Sequence, residues 1–150
     1  MAKKKSRKPK ARGFVLDGSI TLAWAFEDET DAYAEAVADG LANVPAMVPA
    51  VWPLEVANAL LMGERRQRIT AAKVAQFLAL LQTLPIAVDD ETALRAWQDT
   101  LHLARLHHLT VYDATYLELA VRLGLPLGSL DDKLKAAATA AGVAEFQPAS

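Results

Sequence analysis

Cysteine is absent from the chain. That excludes a disulfide scaffold, a thiolate metal site and a cysteine nucleophile, and it is compatible with a reducing compartment. Histidine is scarce: His102, His107 and His108 are the whole supply, and their spacing sets no chelating pair on one helix face. No glycine-rich phosphate loop is present. No apolar run reaches the roughly 18–20 residues that a bilayer span needs, and no apolar segment follows the basic N-terminus to form a secretory leader. The expectation is a cytoplasmic protein without a membrane partner. What is there is 150 residues, 53% hydrophobic and 23% charged, enough to bury one core without staples.

Acids are missing from one stretch in particular. Residues 1–12 hold seven of the sixteen lysines and arginines (Lys3, Lys4, Lys5, Arg7, Lys8, Lys10, Arg12) and no acid. The rest carries nine cations against all eighteen acids, so the net −2 divides into an arm of +7 and a body of −9. The arm has too little apolar content to fold and is expected to be disordered, either a solubilising tail or an extension for a phosphate backbone. Residues 13–150 form the expected domain. An acidic body is a poor general binder of nucleic acid. It suits a cleft that holds metal cations, or a protein that meets a basic partner.

Phe14-Val15-Leu16 runs into Asp17-Gly18-Ser19, and Ile20, Ala23 and Trp24 follow at helical spacing. This predicts a buried strand that delivers Asp17 to its carboxyl end and turns into a short helix, closed by Glu27-Asp28-Glu29. Thr30 to Ala42 reads as a second helix and Met47-Val48 as a second strand. Trp52-Pro53-Leu54-Glu55 opens the next helix, with Pro53 in the first turn and Val56, Ala57, Leu60 and Leu61 as its buried stripe. Val74, Phe77, Leu78 and Leu81 predict an amphipathic helix over Thr70 to Thr83, and Ile86-Ala87-Val88 a third strand. Leu94, Trp97 and Leu101 are expected to line a helix reaching about His107. Asp113 opens another, with Ala114, Leu117 and Val121 inward and Gly124 at its end. Leu125–Leu130 reads as strand four, then a helix with Leu134, Ala137, Ala138 and Ala141 stops at Gly142, and Val143–Phe146 as a fifth, edge strand. Strands alternating with helices mean parallel pairing through right-handed crossovers: an α/β fold, a three-layer α/β/α sandwich with a short parallel sheet.

Four acids take equivalent places in this pattern: Asp17 after strand one, Glu55 in the first turn after strand two, Asp113 opening a later helix, and Asp131 after strand four. Each alone has an ordinary explanation. Asp17 can cap its helix, Glu55 is a favourable anion in a first turn, and Thr110-x-x-Asp113 and Ser129-x-x-Asp132 both resemble capping boxes. Together they call for more. Two carboxylates about 5 Å apart repel by roughly 3 kcal/mol at an effective dielectric near 20, so four in one crevice need a counter-cation. Hard oxygen ligands suit Mg²⁺ or Mn²⁺, and such an ion activates water for phosphoryl displacement.

The stretches Val15–Ser19, Glu55–Leu60, Leu109–Ala120 and Leu125–Asp131 resemble the PIN-domain ribonucleases, and among them the bacterial VapC-type toxins of toxin–antitoxin modules, over about residues 13–147. The resemblance implies a metal-dependent endoribonuclease that cleaves RNA phosphodiesters with a metal-activated water, Mg²⁺ or Mn²⁺ as cofactor, a homodimer, and a cognate antitoxin that inserts a basic side chain into the acidic cleft. It implies Asp17 and Asp113 as principal metal ligands, Glu55 as a further ligand or the group that orients water, Asp131 completing the catalytic set, and Ser19 and Ser129 as hydrogen-bond partners behind them. Asp131 is preferred to Asp132, which the Ser129-x-x-Asp132 pattern assigns to capping. Gly18 stands where the family more usually has alanine. Two other readings are open: a PIN-like RNA-binding module without catalysis, and a Mg²⁺-binding signalling receiver domain, for which Val88-Asp89-Asp90 mimics part of the phosphoacceptor region.

Overall fold

The computed structural model describes residues 12–148, so the basic arm lies outside the described residues except for Arg12, which is exposed. Four short strands, β1 (Phe14–Leu16), β2 (Ala46–Val48), β3 (Ile86–Val88) and β4 (Leu127–Gly128), pair in parallel in the order β3-β2-β1-β4. Val15 stands opposite Met47 on one side and Leu127 on the other. β1 is therefore central, and all three of its residues are completely buried, as a parallel strand covered on both faces requires. The chain lays β2 and β3 to one side of β1, then returns to lay β4 on the other. The winding direction reverses between β1 and β4, and in open parallel sheets the crevice beyond such a reversal is where ligands bind.

Two groups of helices flank the sheet. α1 (Gly18–Ala25) packs on α2 (Ala32–Gly40) and on α3 (Trp52–Arg65). α7 (Val111–Leu123) packs on β1 and β4 and touches α6 (Leu101–His107) and α8 (Asp132–Ala140). α4 (Ala71–Leu81) starts at Thr70, whose hydroxyl accepts from the Lys73 N–H. The expected three-layer architecture is the one observed. Close approach of α3 to the end of α1 depends on Gly63: a Cβ there would stand 2.6 Å from the Phe26 ring.

Several elements differ from the sequence expectation. α3 buries Trp52, Val56, Leu60 and Gly63, while Ala57 and Leu61 face solvent. Leu94 is 78% and Trp97 90% exposed, so neither lines the core. The helix carrying them is α5 (Thr92–Arg95), a π-helical turn (Ala96–Thr100) and then α6, and the wider turn shifts the register of the faces. Val121 is also exposed, while α7 buries every residue from Ala114 to Ala120 and is central rather than one-sided. Strand four shortens to Leu127–Gly128, and the expected fifth strand reduces to a single parallel bridge of Glu145 to Leu127, with the Phe146 ring stacked on Phe14 at 3.8 Å. The helix stops at Gly124 and Gly142 stand as expected, both at positive φ.

Candidate active site

Asp17 leaves the end of β1 at the reversal point and is 6% exposed. It holds the N-cap position of α1, yet its side chain makes no capping bond. Instead its Oδ2 accepts two hydroxyls, Ser19 Oγ at 2.6 Å and Ser129 Oγ at 2.8 Å. Each serine in turn accepts a backbone N–H from the loop after β4, Leu130 onto Ser19 at 2.9 Å and Asp131 onto Ser129 at 3.0 Å. The β1–α1 turn and the β4–α8 loop are thereby locked together around one carboxylate oxygen. Oδ1 of Asp17 receives no hydrogen bond from the described residues.

Glu55 arrives from the first turn of α3 and is half-buried. Its Oε1 accepts the Tyr116 hydroxyl at 2.6 Å. Tyr116 is fully buried, and burial together with the Glu55 carboxylate drives its hydroxyl far above the ordinary tyrosine range, so it stays a donor. Asp113 and Tyr116 are one turn apart on α7, which puts both on one helix face. The Asp113 N–H is capped by Thr110 Oγ1 at 3.0 Å, as the Thr110-x-x-Asp113 spacing predicts. A Cβ on Gly18 would meet the Tyr116 hydroxyl oxygen at 3.5 Å, ordinary contact distance, so the family's alanine would fit here.

The two acids after β4 exchange the parts expected of them in capping. Asp131 is the N-cap of α8, its Oδ1 accepting the N–H groups of Lys133 at 2.9 Å and Leu134 at 3.1 Å. Asp132 is exposed in the first helical turn. Ser129 does not cap through Asp132 because the helix starts two residues later, with Asp131 as its N-cap; the Ser129 hydroxyl donates to Asp17 and accepts the Asp131 N–H instead.

The four acids share one field. Burial raises the Asp17 carboxyl above its usual range, Ser19 and Ser129 oppose that, and the charges of Asp113 and Asp131 add to it. Glu55 is raised by burial against the Tyr116 bond, with Asp17 and Asp113 adding. Asp113 is raised by burial and then by Asp131, with Thr110 and Lys133 opposing. Each site is thus short of positive charge. The donor set is all hard oxygen, which fits Mg²⁺ or Mn²⁺ rather than a softer ion.

A second acidic group lies after β3. Carboxylate oxygens of Asp89, Asp90 and Glu91 fall within 4.8 Å of one another, the one such triplet among the described residues, and taken alone it is compatible with a divalent ion. A cation of the protein already pairs with two of its three members. Arg122 forks onto Asp89 at 2.7 and 3.2 Å, bonds Glu118 at 2.9 Å and reaches Glu91 at 3.5 Å. Thr92 donates to Asp89 at 2.8 Å and accepts the Ala50 N–H. Although burial opposes it, the Arg122 and Thr92 bonds hold the Asp89 carboxyl below its usual range. This is a buried ion-pair knot joining α7 to the β3–α5 loop. It also takes Asp89 out of reach as the phosphoacceptor of a receiver domain, since Asp89 is 6% exposed beneath Arg122.

A short parallel sheet flanked by helices, with acids at its reversal point, sets the chain in the α/β class. The family model for the PIN domain matches residues 14–140, and the chain belongs to that family, whose members are typically nucleases dependent on a divalent metal. The crystal structure of PAE2754 from Pyrobaculum aerophilum is similar, with a TM-score of 0.63 and 24% identity over 85% of each chain, a likeness of fold. No curated protein matches. Tyr116 is the site residue that reasoning from carboxylates missed. Its signal was available in the Asp113-x-x-Tyr116 spacing.

Proposed function

We propose that this chain is a metal-dependent endoribonuclease and the toxin of a toxin–antitoxin pair, working in the cytoplasm. The observation that carries the activity is the convergence of Asp17, Glu55, Asp113 and Asp131 on the switch-point crevice of a PIN fold, where none of the four is in an ion pair among the described residues and the charge of Lys133 only partly offsets that of Asp113. Asp17 and Asp113 would hold Mg²⁺ or Mn²⁺, with Glu55 and Asp131 supporting it. The ion supplies Lewis acidity, lowering the pKa of a water and offsetting charge on the phosphate. The chain's own groups do the positioning. Ser19 and Ser129 fix one Asp17 oxygen so that the other is presented to the crevice, and Tyr116 does the same for Glu55.

Two surfaces support the partners. A groove of about 550 Å³ between α1, α2 and α4 has an apolar floor that includes Trp24, Phe77 and Leu81 and an acidic edge of Asp31, Glu35 and Asp39 at one-turn intervals. It suits an amphipathic antitoxin segment with a basic side. The exposed Leu94 and Trp97, and separately the half-exposed edge strand β3, are apolar surfaces that support a homodimer.

The test is cleavage of total RNA with Mg²⁺ or Mn²⁺, with EDTA and with the Asp17→Asn variant. Cleavage that stops in both controls is expected. Undiminished cutting in EDTA defeats the metal reading, and binding without any cutting would leave a non-catalytic RNA-binding module.

A further inference from the structure

The chain has three tyrosines, and two are tied down. Tyr33 donates to the Phe146 carbonyl at 2.7 Å and Tyr116 to Glu55. Tyr112 is 64% exposed, and its hydroxyl has no partner among the described residues. It stands directly before Asp113 in the first turn of α7, on a backbone that is doubly secured: Thr110 caps the Asp113 N–H, and the Thr115 hydroxyl donates to the Tyr112 carbonyl at 2.6 Å. A flat ring is thus held in water, on a rigid turn, beside a site acid. Leu54 has the matching place on α3, directly before Glu55, and is 73% exposed. The burial of apolar side chains elsewhere in the chain accounts for neither.

A cation completes the rim. Lys133 is in the first turn of α8, its N–H bonded to Asp131 Oδ1. Lys133, like Arg65, Arg66, Arg105 and Lys135, makes no ion pair among the described residues, but of these five it is the one whose charge reaches Asp113 and holds that carboxyl down. In a body of charge −9, an unspent cation at the mouth of the acidic crevice has a clear use for an incoming polyanion.

We propose that Tyr112 and Lys133 are positioning residues for the RNA, Tyr112 by stacking on an unpaired base and Lys133 by pairing with a backbone phosphate. This rests on the nuclease reading above. A base is available for stacking only when it is splayed out of a helix, which is why an aromatic platform selects unpaired strands. Stacking on such a platform is worth a factor of roughly five to a hundred in affinity per base.

The experiment uses the full chain and a short unstructured oligoribonucleotide carrying 2-aminopurine, alone and annealed to its complement. Binding is followed by anisotropy and by quenching of the 2-aminopurine emission, and cutting in Mn²⁺ is followed in parallel. Expected are preference for the single strand, retained binding and quenching in Tyr112→Phe, and a five- to hundredfold weaker Kd with lost quenching in Tyr112→Ala. KM should rise and kcat hold. Lys133→Ala should flatten the log Kd against log salt plot by about 0.7, one phosphate contact on a single strand. Unchanged Kd and quenching in Tyr112→Ala, or equal affinity for the duplex, overturns the proposal. Tyr112-dependent binding by a protein that never cuts would keep the rim and sink the nuclease, while cutting that ignores Tyr112 does the reverse.

Discussion

Replacing Arg122 with methionine tests which of the two acidic groups is structural. Arg122, Asp89 and Glu118 have side chains only 13%, 5% and 6% exposed, so the substitution strands two buried carboxylates. Adding the charge-assisted bonds at about 1.5–3 kcal/mol each would overshoot, because the guanidinium's own desolvation is recovered and a stranded carboxylate can take up a proton. Protonating a group with an ordinary value near 4 at pH 7 costs about 4 kcal/mol, which caps the penalty per acid. A loss of about 3–5 kcal/mol is therefore expected, in line with other buried pairs that lose one partner. For a chain of this length that is a fall in Tm of roughly 10–15 °C. The assay is a thermal melt at pH 7 and pH 5, in EDTA and in Mn²⁺. The gap between parent and variant should narrow at pH 5, where the stranded acids protonate more cheaply. A fall under about 3 °C would refute the reasoning. A Mn²⁺-induced rise larger in the variant than in the parent would instead put an ion-binding capacity among Asp89, Asp90 and Glu91.

Further outcomes follow from the site. Asp113→Asn should raise the metal-free Tm by a few degrees, about 1 kcal/mol of relieved repulsion, and shrink the rise that Mg²⁺ induces; a clear drop in EDTA would mean that the carboxylate serves the helix end instead. Because Asp17, Glu55 and Asp113 have carboxyls raised in the fold, the metal-free protein should lose stability as pH climbs from the ordinary carboxylate range through their raised values. Asp89, held low, works in the opposite sense and loses its contribution as pH falls through its depressed value, so Tm in EDTA should peak at mildly acid pH and shift upward with Mn²⁺. Tyr116→Phe keeps the ring in its buried slot and removes the donor to Glu55; kcat should fall about 10–100-fold, as when other groups that orient a metal's ligands are lost, with RNA Kd unchanged.

Much of the fold could be read from short-range pattern. The Phe14–Leu16 run ending in Asp17 and a small residue is enough to place a strand end and a turn, and the winding rules then fix where that end points. What escaped depends on contacts across the chain. Periodicity finds the apolar residues of a helix but not which of two adjacent stripes is covered, hence Ala57 and Leu61 in α3. A π-helical turn shifts register without any local signal in Ala96–Thr100, so Trp97 faces water. The Ser129-x-x-Asp132 pattern is a sound capping box in isolation. It fails because the helix begins after Asp131, while Ser129 is drawn to Asp17, 112 residues away, and accepts the N–H of Asp131 rather than that of Asp132. Arg122 meets Asp89 33 residues back, a pairing that nothing in the intervening segment announces.

The two acidic groups also show why proximity of carboxylates is a poor guide to a metal site. Asp89, Asp90 and Glu91 are the tighter set, yet Arg122 pairs with Asp89 and Glu91 from within, and the Asp89 carboxyl is stabilised in its ionised form. At the strand ends the partners of Asp17 and Glu55 are neutral hydroxyls, each bound to one oxygen of a carboxylate. Hydroxyl donors orient a carboxylate without cancelling its charge, and Asp17, Glu55 and Asp113 all stay raised. A protein that only needed to stabilise its fold would have no use for such unanswered repulsion. The crevice holds an electrostatic deficit that an external cation can fill, and the knot beneath Arg122 does not.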